Sequence, residues 1–408
     1  MRHTYVVHYS EVALKGKNRP EFVRVLRKNL NRALWGRDPE VVFKDGRFVV
    51  TADDDGGEVA KRLGSVFGVA WFSPASIVEP DYEKMLLAVL ATARDAPGKT
   101  FKIESRRSDK TFPQTSQELA AELGAAVAAD TRMKVDLTNP EAVLHVDVTK
   151  TRAVIYSKKM NGPGGLPVGT AGRVLHLFSG GIDSPVAAWL LMKRGCMPVY
   201  LHFYLTPTPE AVLDSKVIRL VKVLSAYGGK STLVLVPFAE YQLETAGIPG
   251  DLEPSLFRRF MRMTAEELAP RFGATAVSTG DSLSQAASQT LWNIAAFDDG
   301  SSVPILRPLL TYDKEEIVNL GRRIGTYELS LEEYKDCCAI ITRHPKTRVK
   351  SAMINDYVQR LNLKGLAWRS LEAASLVSYN PIGSVLKRSS LLESLDRAPP
   401  MASVKADL

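Results

Sequence analysis

Residues 179–185, Ser-Gly-Gly-Ile-Asp-Ser-Pro, are the part of the sequence whose residue types point most clearly to chemistry. They follow an apolar run, VLHLF (174–178), and Pro185 is well suited to begin a helix. Two adjacent glycines allow a tight turn that points successive N–H groups inward, and the serines add hydroxyl donors. The N-terminus of the following helix adds positive potential. The segment therefore predicts a cradle for a phosphate or a pyrophosphate.

Two other interpretations of this loop are weaker. A Walker A loop needs GxxxxGK followed by Ser or Thr, and Gly98-Lys99-Thr100 has Ala93 where the first glycine is required. Kinase and GTPase functions therefore lose support. A plain strand-to-helix turn is the structural alternative, but it leaves the two serines and Asp183 without a purpose.

The adjacent cysteines Cys337 and Cys338 are the second chemical candidate. They stand in a polar segment shortly before Lys346 and Arg348, and a thiolate nucleophile needs an exposed, electropositive setting. The alternative is two small apolar residues packed in a loop. Adjacent cysteines close a disulfide only as a strained ring, so Cys337 is an awkward resolving partner. Cys196, where an apolar run begins, is expected in the core.

The elements that position these residues begin near Arg173. From there, apolar strand-like runs alternate with longer helical segments, which indicates βαβ crossovers and a doubly wound α/β domain with a parallel sheet. The Gly-rich loop follows the first strand of this domain. A Gly- and Pro-rich stretch, residues 161–172, marks the boundary before it.

The N-terminal part follows a different pattern. The first 75 residues predict a βαββαβ order, with an Asp45-Gly46 turn between two strands, which is typical of a ferredoxin-like α+β unit. Residues 19–34 predict an amphipathic helix that begins near Pro20 and has a basic outer face. A second α+β unit follows from Asp81.

Composition limits the class of protein. The chain has 408 residues, of which 45% are hydrophobic, so several globular domains are expected and wholesale disorder is excluded. Three cysteines are too few for a disulfide scaffold, and no signal peptide or membrane span is predicted. We therefore expect a cytoplasmic protein with reduced thiols and no membrane partner.

Charge is concentrated at the N-terminus. Residues 1–37 hold nine Lys or Arg and two Glu, within a chain whose net charge is +8. This concentration indicates either a polyanionic partner such as a nucleic acid or a solvated basic helix face.

The loop SGGIDS (179–184) resembles the PP-loop of the ATP pyrophosphatase superfamily. Further segments narrow this resemblance to the tRNA 4-thiouridine synthase family, ThiI, over about residues 5–365. The segments that carry it are YSEVALKGKNR (9–19), LGSVFGVAWFSPA (63–75), TFKIESRRSDKTFPQTS (100–116), VDLTNPE (135–141), GPGGLPVGTAG (162–172), TGDSLSQAASQTLWNI (279–294), RPLLTYDKEEI (307–317) and DCCAIITRHP (336–345).

The resemblance implies a ferredoxin-like domain (1–75), an RNA-binding THUMP domain (76–165), a PP-loop ATP pyrophosphatase domain (166–395) and a loose tail (396–408). It also implies a reaction: ATP adenylates the 4-keto oxygen of the uridine at tRNA position eight, and a protein persulfide sulfur then displaces AMP. The expected cofactors are ATP and Mg²⁺.

Site residues follow from matching positions. Asp183 is expected to organise Mg²⁺ or pyrophosphate, with a helix N-cap as its alternative. Lys314 is expected to stabilise the activated uridine or phosphate, unless it is a solvated lysine, and Arg307 either joins it or forms a surface ion pair. Cys338 matches the sulfur-handling cysteine. The expected ATP-binding residues are Leu177, Phe178, Ser179, Gly180, Gly181, Ile182, Ser184, His202, Phe203, Arg262, Gly280 and Gln289. The expected tRNA-binding residues are Lys15, Lys17, Arg19, Arg106, Arg107, Lys110 and Phe112.

The chain differs from longer family members, which carry a C-terminal rhodanese domain that receives sulfur. We therefore expect a cysteine desulfurase to supply Cys338 directly, and thiamine biosynthesis, a second process of the rhodanese-bearing members, is less expected here. The family also implies a homodimer. Two alternative functions stay open: an ATP pyrophosphatase that amidates a small molecule, and a non-catalytic tRNA-binding protein.

Overall fold

The computed structural model describes residues 1–206, 208–337 and 345–396. The chain divides into two compact units, Met1–Gly165 and Leu166–Leu408. The predicted tail lies outside the described residues from position 397 onward.

The first unit begins with the predicted ferredoxin-like order. Its elements are β1 (Arg2–Tyr9), a 3-10 helix (Glu11–Asn18), α1 (Arg19–Ala33), β2 (Glu40–Lys44), β3 (Arg47–Asp53), α2 (Glu58–Leu63) and β4 (Val69–Pro74). Asp45 and Gly46 both have positive φ angles, 54° and 71°, as a two-residue hairpin turn requires. Helix α1 buries Leu26 and Leu30 and leaves its basic side exposed, as its periodicity predicts.

The second half of this unit contributes another sheet. Its elements are β5 (Ser76–Val78), α3 (Tyr82–Arg94), β6 (Thr100–Arg107), α4 (Ser116–Asp130), β7 (Lys134–Val135), β8 (Ala142–Val148), β9 (Ala153–Tyr156) and β10 (Met160–Asn161). The sheet order is β5-β9-β8-β6-β7, while β10 returns to the first sheet, whose order is β10-β4-β1-β3-β2. The segment predicted as linker, residues 161–172, therefore starts on the last residue of a short edge strand.

The second unit is built on a seven-stranded sheet. Its strands are β11 (Arg173–Leu177), β12 (Met197–Tyr204), β13 (Ser231–Pro237), β14 (Ala274–Ser278), β15 (Ile305–Leu306), β16 (Ser375–Tyr379) and β17 (Val385–Ser390). Their order is β15-β14-β11-β12-β13-β16-β17. The first five are parallel, as predicted, whereas β16 and β17 form an antiparallel edge that the sequence analysis did not anticipate.

Helices cover this sheet. They are α5 (Asp183–Lys193), α6 (Glu210–Leu213), α7 (Lys216–Gly228), α8 (Ala239–Glu244), α9 (Glu253–Phe272), α10 (Leu291–Asp298), α11 (Lys314–Ile324), α12 (Tyr327–Leu331), α13 (Ser351–Arg360), α14 (Leu363–Glu372) and α15 (Leu391–Asp396). The chain passes from β11 to β12 on one side and places β14 on the other, so a topological switch point lies at β11. Open α/β sheets bind ligands at the carboxyl ends of the strands there.

Candidate functional site

The Gly-rich loop lies at this switch point, between β11 and α5. The Ser184 hydroxyl closes the loop, because it accepts a hydrogen bond from Ser179 N (3.0 Å) and donates one to Ser179 O (2.9 Å). A Cβ atom on Gly280 would come within 2.9 Å of Ser184 N, so only glycine allows the segment after β14 to pack directly on the loop. The two strand ends thus form one surface.

His176, on strand β11, holds the loop in place through hydrogen bonds. It is fully buried, and burial lowers its pKa to about 4, so the ring is neutral at physiological pH. Its Nε2 lies 2.9 Å from Ser184 O and its Nδ1 lies 2.7 Å from the Ser278 hydroxyl. Since a carbonyl only accepts, Nε2 carries the proton, and the ring ties β11 and β14 to the start of α5.

Asp183 and Lys314 meet at the mouth of the site. Lys314 Nζ donates to Asp183 Oδ1 at 2.7 Å, and Gln285 Nε2 donates to Asp183 Oδ2 at 2.8 Å. The carboxylate is therefore held by side chains from two other segments, and the N-cap position of α5 is occupied by Ile182 rather than by Asp183. Lys314 stands at the first position of α11, and its side chain is 49% exposed while it pairs with Asp183.

A pocket opens beside the loop and brings many of the predicted residues together. Apolar side chains form one wall, and the loop and the strand ends form the polar side. The predicted residues that line it are Leu177, Phe178, Ser179, Asp183, Ser184, His202, Phe203, Gly280 and Gln289. Gly180, Gly181 and Ile182 belong to the same loop but do not line the pocket.

Arg262 is the one predicted ATP-binding residue that belongs neither to the loop nor to the lining of this pocket. Its side chain is 2% exposed, its guanidinium pairs with Glu266, and it also donates to Asp299 O at 3.1 Å. A guanidinium with these internal partners is part of the core. The pocket instead receives Arg258, one helical turn nearer the start of α9.

Arg258, which was not singled out from the sequence, belongs to a buried charge cluster. One oxygen of Asp281 accepts from Arg258 (2.7 Å), Thr279 (2.8 Å) and Arg307 (3.2 Å). Desolvation alone raises the pKa of Asp281, but these partners outweigh it and hold the pKa below its usual value. Arg307 is therefore not a surface residue: its side chain is 8% exposed and also pairs with Asp298.

The cysteines have different positions. Cys338 lies outside the described residues. Cys337 lines the pocket but is only 1% exposed, and its thiol donates to Phe203 O at 3.2 Å. Cys196 is half-buried, and burial raises the pKa of its thiol, as suits a core cysteine.

Asp183 is the carboxylate that was predicted to hold a metal ion. Among the described residues, no group of three or more His, Cys, Asp and Glu side chains could hold a metal ion. Asp183 fits a magnesium site of another kind, in which one carboxylate and substrate phosphates hold the ion.

A second cleft, in the first unit, is basic. Its lining is His8, Arg47, Trp71, Arg106, Arg107, Ser108, Asp147, Val148, Thr149, Tyr156 and Lys159. His8 stacks on Trp71 with ring centroids 4.0 Å apart, and Lys159 lies 5.1 Å from the Trp71 centroid. Burial lowers the pKa of His8 to about 4, helped by the nearby Arg47. Basic side chains attract the phosphates of RNA, and aromatic rings stack on exposed bases, so both features of this cleft suit RNA. Arg47, Trp71 and Lys159 were not singled out from the sequence, because they come together only in the folded unit.

The predicted tRNA-binding residues are dispersed. Arg106 and Arg107 line this cleft, although Arg107 also donates to the carbonyls of Phe112 and Gln114, each at 2.7 Å. Phe112 packs against the hydrophobic cluster of its sheet, which removes part of its face from stacking. Lys17 and Lys110 are exposed, while Lys15 and Arg19 lie over the Phe22 and Tyr9 rings.

No helix in the described part of the chain is long and apolar enough to cross a membrane.

Comparisons with known proteins agree with this arrangement. Residues 4–73 match the ThiI ferredoxin-like domain, residues 79–158 match the THUMP domain, and residues 169–363 match the thiamine biosynthesis protein ThiI. A probable tRNA sulfurtransferase of Moorella thermoacetica is 40% identical over 385 residues, which cover 93% of this chain and 99% of that protein. Another, from Caldanaerobacter subterraneus subsp. tengcongensis, is 39% identical over 366 residues, 89% of this chain and 96% of that protein.

Solved structures agree as well. A 4-thiouridine synthetase in complex with RNA and bound ATP is 32% identical, with a TM-score of 0.85 over 95% of this chain and all of that one. These matches confirm the predicted ferredoxin-like, THUMP and PP-loop domains. By its sequence identity to these relatives over nearly its whole length, the chain belongs to the ThiI family of tRNA sulfurtransferases.

Proposed function

We propose that this protein uses ATP and Mg²⁺ to convert the uridine at position eight of tRNA to 4-thiouridine. The observation that carries the proposal is the Asp183–Lys314 pair at the mouth of the PP-loop pocket, 2.7 Å apart at a topological switch point. A 4-thiouridine synthetase of the same fold binds RNA and ATP.

The first step activates the base. The 4-keto oxygen of uridine attacks the α-phosphate of ATP, the bond to the β-phosphate breaks, and pyrophosphate leaves. The N–H and hydroxyl donors of the loop stabilise the charge that develops on the leaving group. Lys314 supplies positive charge at the same place. Bound Mg²⁺, held by Asp183 and the phosphates, would neutralise further phosphate charge.

The second step transfers sulfur. The terminal sulfur of a Cys338 persulfide attacks C4, the C4–O bond breaks, and AMP leaves. A second thiol then attacks the Cys338 sulfur, which releases 4-thiouridine and leaves a disulfide for an external dithiol to reduce. A cysteine desulfurase provides the persulfide sulfur.

The basic cleft of the first unit is the proposed place for the end of the tRNA. Its positive charge attracts phosphates, and its aromatic rings suit splayed bases. Because the target uridine lies far from that end, we propose that two copies of the chain act on one tRNA, so that one copy grips the end and the other modifies the base.

ATP cleavage that depends on tRNA separates this function from the two alternatives. With purified protein, we expect pyrophosphate to form from ATP only when unmodified tRNA is added, because the uridine oxygen is the acceptor. Chromatography of ATP and pyrophosphate measures this. Equal pyrophosphate formation without tRNA favours a small-molecule amidase, and no pyrophosphate with tRNA favours a non-catalytic binding protein.

The basic cleft gives a prediction about RNA affinity. Arg106→Ala is expected to weaken tRNA binding by about fivefold and to make the salt dependence of log K less steep by about one, because a phosphate contact is lost. Fluorescence anisotropy at several salt concentrations measures both. Lys134→Ala is the control: Lys134 pairs with Thr100, six residues before Arg106 on β6, so it is remote from the cleft. Equal losses in both variants would contradict the assignment.

A further inference from the structure

The segment 330–337, here called the strap, passes the PP-loop and is fastened along its length. Lys216 Nζ donates to the carbonyls of Ser330 and Glu332, each at 2.7 Å. The Tyr334 hydroxyl donates to His202 Nε2 at 2.7 Å, because His202 Nδ1 already donates to Phe178 O. These contacts hold the part of the strap that precedes one charged residue, Asp336.

Asp336 makes a contact with the loop that differs from the others. Ser179 N and Gly181 N donate to serine hydroxyls within the loop itself. Gly180 N instead donates to a carboxylate oxygen of Asp336, at 3.2 Å, from a residue 156 positions along the chain. The loop N–H group therefore already binds an anion, and that anion belongs to the protein.

We propose that Asp336 occupies a phosphate position on the PP-loop, so that a nucleotide must displace it to bind there. A single N–H group donates one good hydrogen bond, and two anions at the same donor repel each other. The proposal rests on the proposed function, because it requires that pyrophosphate or the phosphates of ATP reach Gly180 N.

Displacement of Asp336 also affects the neighbouring cysteine. The next residue is Cys337, whose thiol is bonded to Phe203 O, and Cys338 follows in the sequence. Phosphate binding therefore loosens the strap at the residue that adjoins the cysteine pair. Nucleotide occupancy and the fastening of the strap are therefore coupled, and the strap remains fastened while the loop is empty.

Binding of pyrophosphate tests the proposal without any turnover. Asp336→Asn is expected to bind inorganic pyrophosphate and α,β-methylene-ATP about tenfold more tightly than the natural chain, because the competing charge is gone. Adenosine, which has no phosphate, is expected to bind both equally. Glu332→Gln is the control, since Glu332 lies on the same strap and pairs with Arg219 rather than with the loop. Glu332→Gln removes one negative charge, as Asp336→Asn does. It is expected to leave the affinities for pyrophosphate, α,β-methylene-ATP and adenosine unchanged.

Calorimetry on the full chain gives these affinities, and melting curves check that each variant folds. Unchanged or weaker pyrophosphate binding by Asp336→Asn overturns the proposal; weaker binding would mean that Asp336 helps to hold the phosphates. Failure of the natural chain to bind α,β-methylene-ATP overturns this proposal and the proposed function together. Equal binding of α,β-methylene-ATP by the natural chain and both variants overturns the proposed competition between Asp336 and phosphate, but it leaves the proposed function standing.

Hydrogen exchange on the unaltered chain gives a second measurement. Pyrophosphate is expected to slow exchange in residues 179–184 and to speed it in the strap. Slower exchange in the strap would contradict the displacement of Asp336.

Discussion

Asp183→Asn is expected to reduce tRNA-dependent release of pyrophosphate from ATP by at least about 100-fold, the size of effect that follows loss of one preorganised electrostatic contact in an active site. The change keeps the shape of the side chain but removes the charge that faces Lys314 and the pocket. Rapid-quench measurement of pyrophosphate under single-turnover conditions gives the rate of this step directly.

The fold is expected to survive this change, because the Asp183 side chain is 23% exposed and lies at the mouth of the site. A melting temperature within a few degrees of the natural chain checks this. Glu315→Gln, an exposed neighbour of Lys314 on the first turn of α11, is the matched control and is expected to retain full activity. An Asp183→Asn variant that kept more than a tenth of the rate would remove Asp183 from the proposed machinery.

Cys338→Ser is expected to abolish 4-thiouridine formation while the first step continues, so that pyrophosphate is released and AMP stays bonded to the tRNA. Serine cannot carry a persulfide, but the PP-loop pocket does not need the thiol to activate the uridine. Separate assays of pyrophosphate and of thiolated nucleoside on the same reaction measure the two steps.

Cys337→Ser is the paired variant. The Cys337 thiol is buried and hydrogen-bonded to Phe203 O, so it is not exposed to a sulfur donor, and thiolation is expected to persist when an external dithiol is present. Thiolation that survived in Cys338→Ser, or that disappeared in Cys337→Ser alone, would show that the wrong cysteine has been assigned.

Local sequence signals predicted the parts of the site that are continuous in the chain. The loop 179–185 contains its own turn, its own hydroxyl groups and the start of its helix, so its residue types were sufficient. The parallel strands were predicted for a similar reason, because each is a short apolar run between helices.

Contacts between distant segments were harder to predict. Arg258 and Arg262 are four residues apart on α9, about 6 Å along the helix axis, and only the packing of that helix decides which one reaches the pocket. The sequence analysis selected Arg262, which is buried against Glu266. Likewise, nothing near Asp336 indicates that its carboxylate reaches Gly180. The antiparallel edge formed by β16 and β17 was not predicted. These two strands follow a helical stretch, and nothing in their sequence indicates whether they run parallel or antiparallel to the other strands.

The most direct test of the proposed function is mass spectrometry of tRNA nucleosides after incubation of the purified protein with unmodified tRNA, ATP, Mg²⁺, a cysteine desulfurase and cysteine. We expect 4-thiouridine at position eight, formed together with AMP and absent when ATP is withheld. AMP without any thiolated nucleoside, or a thiolated base at a different position, would contradict it.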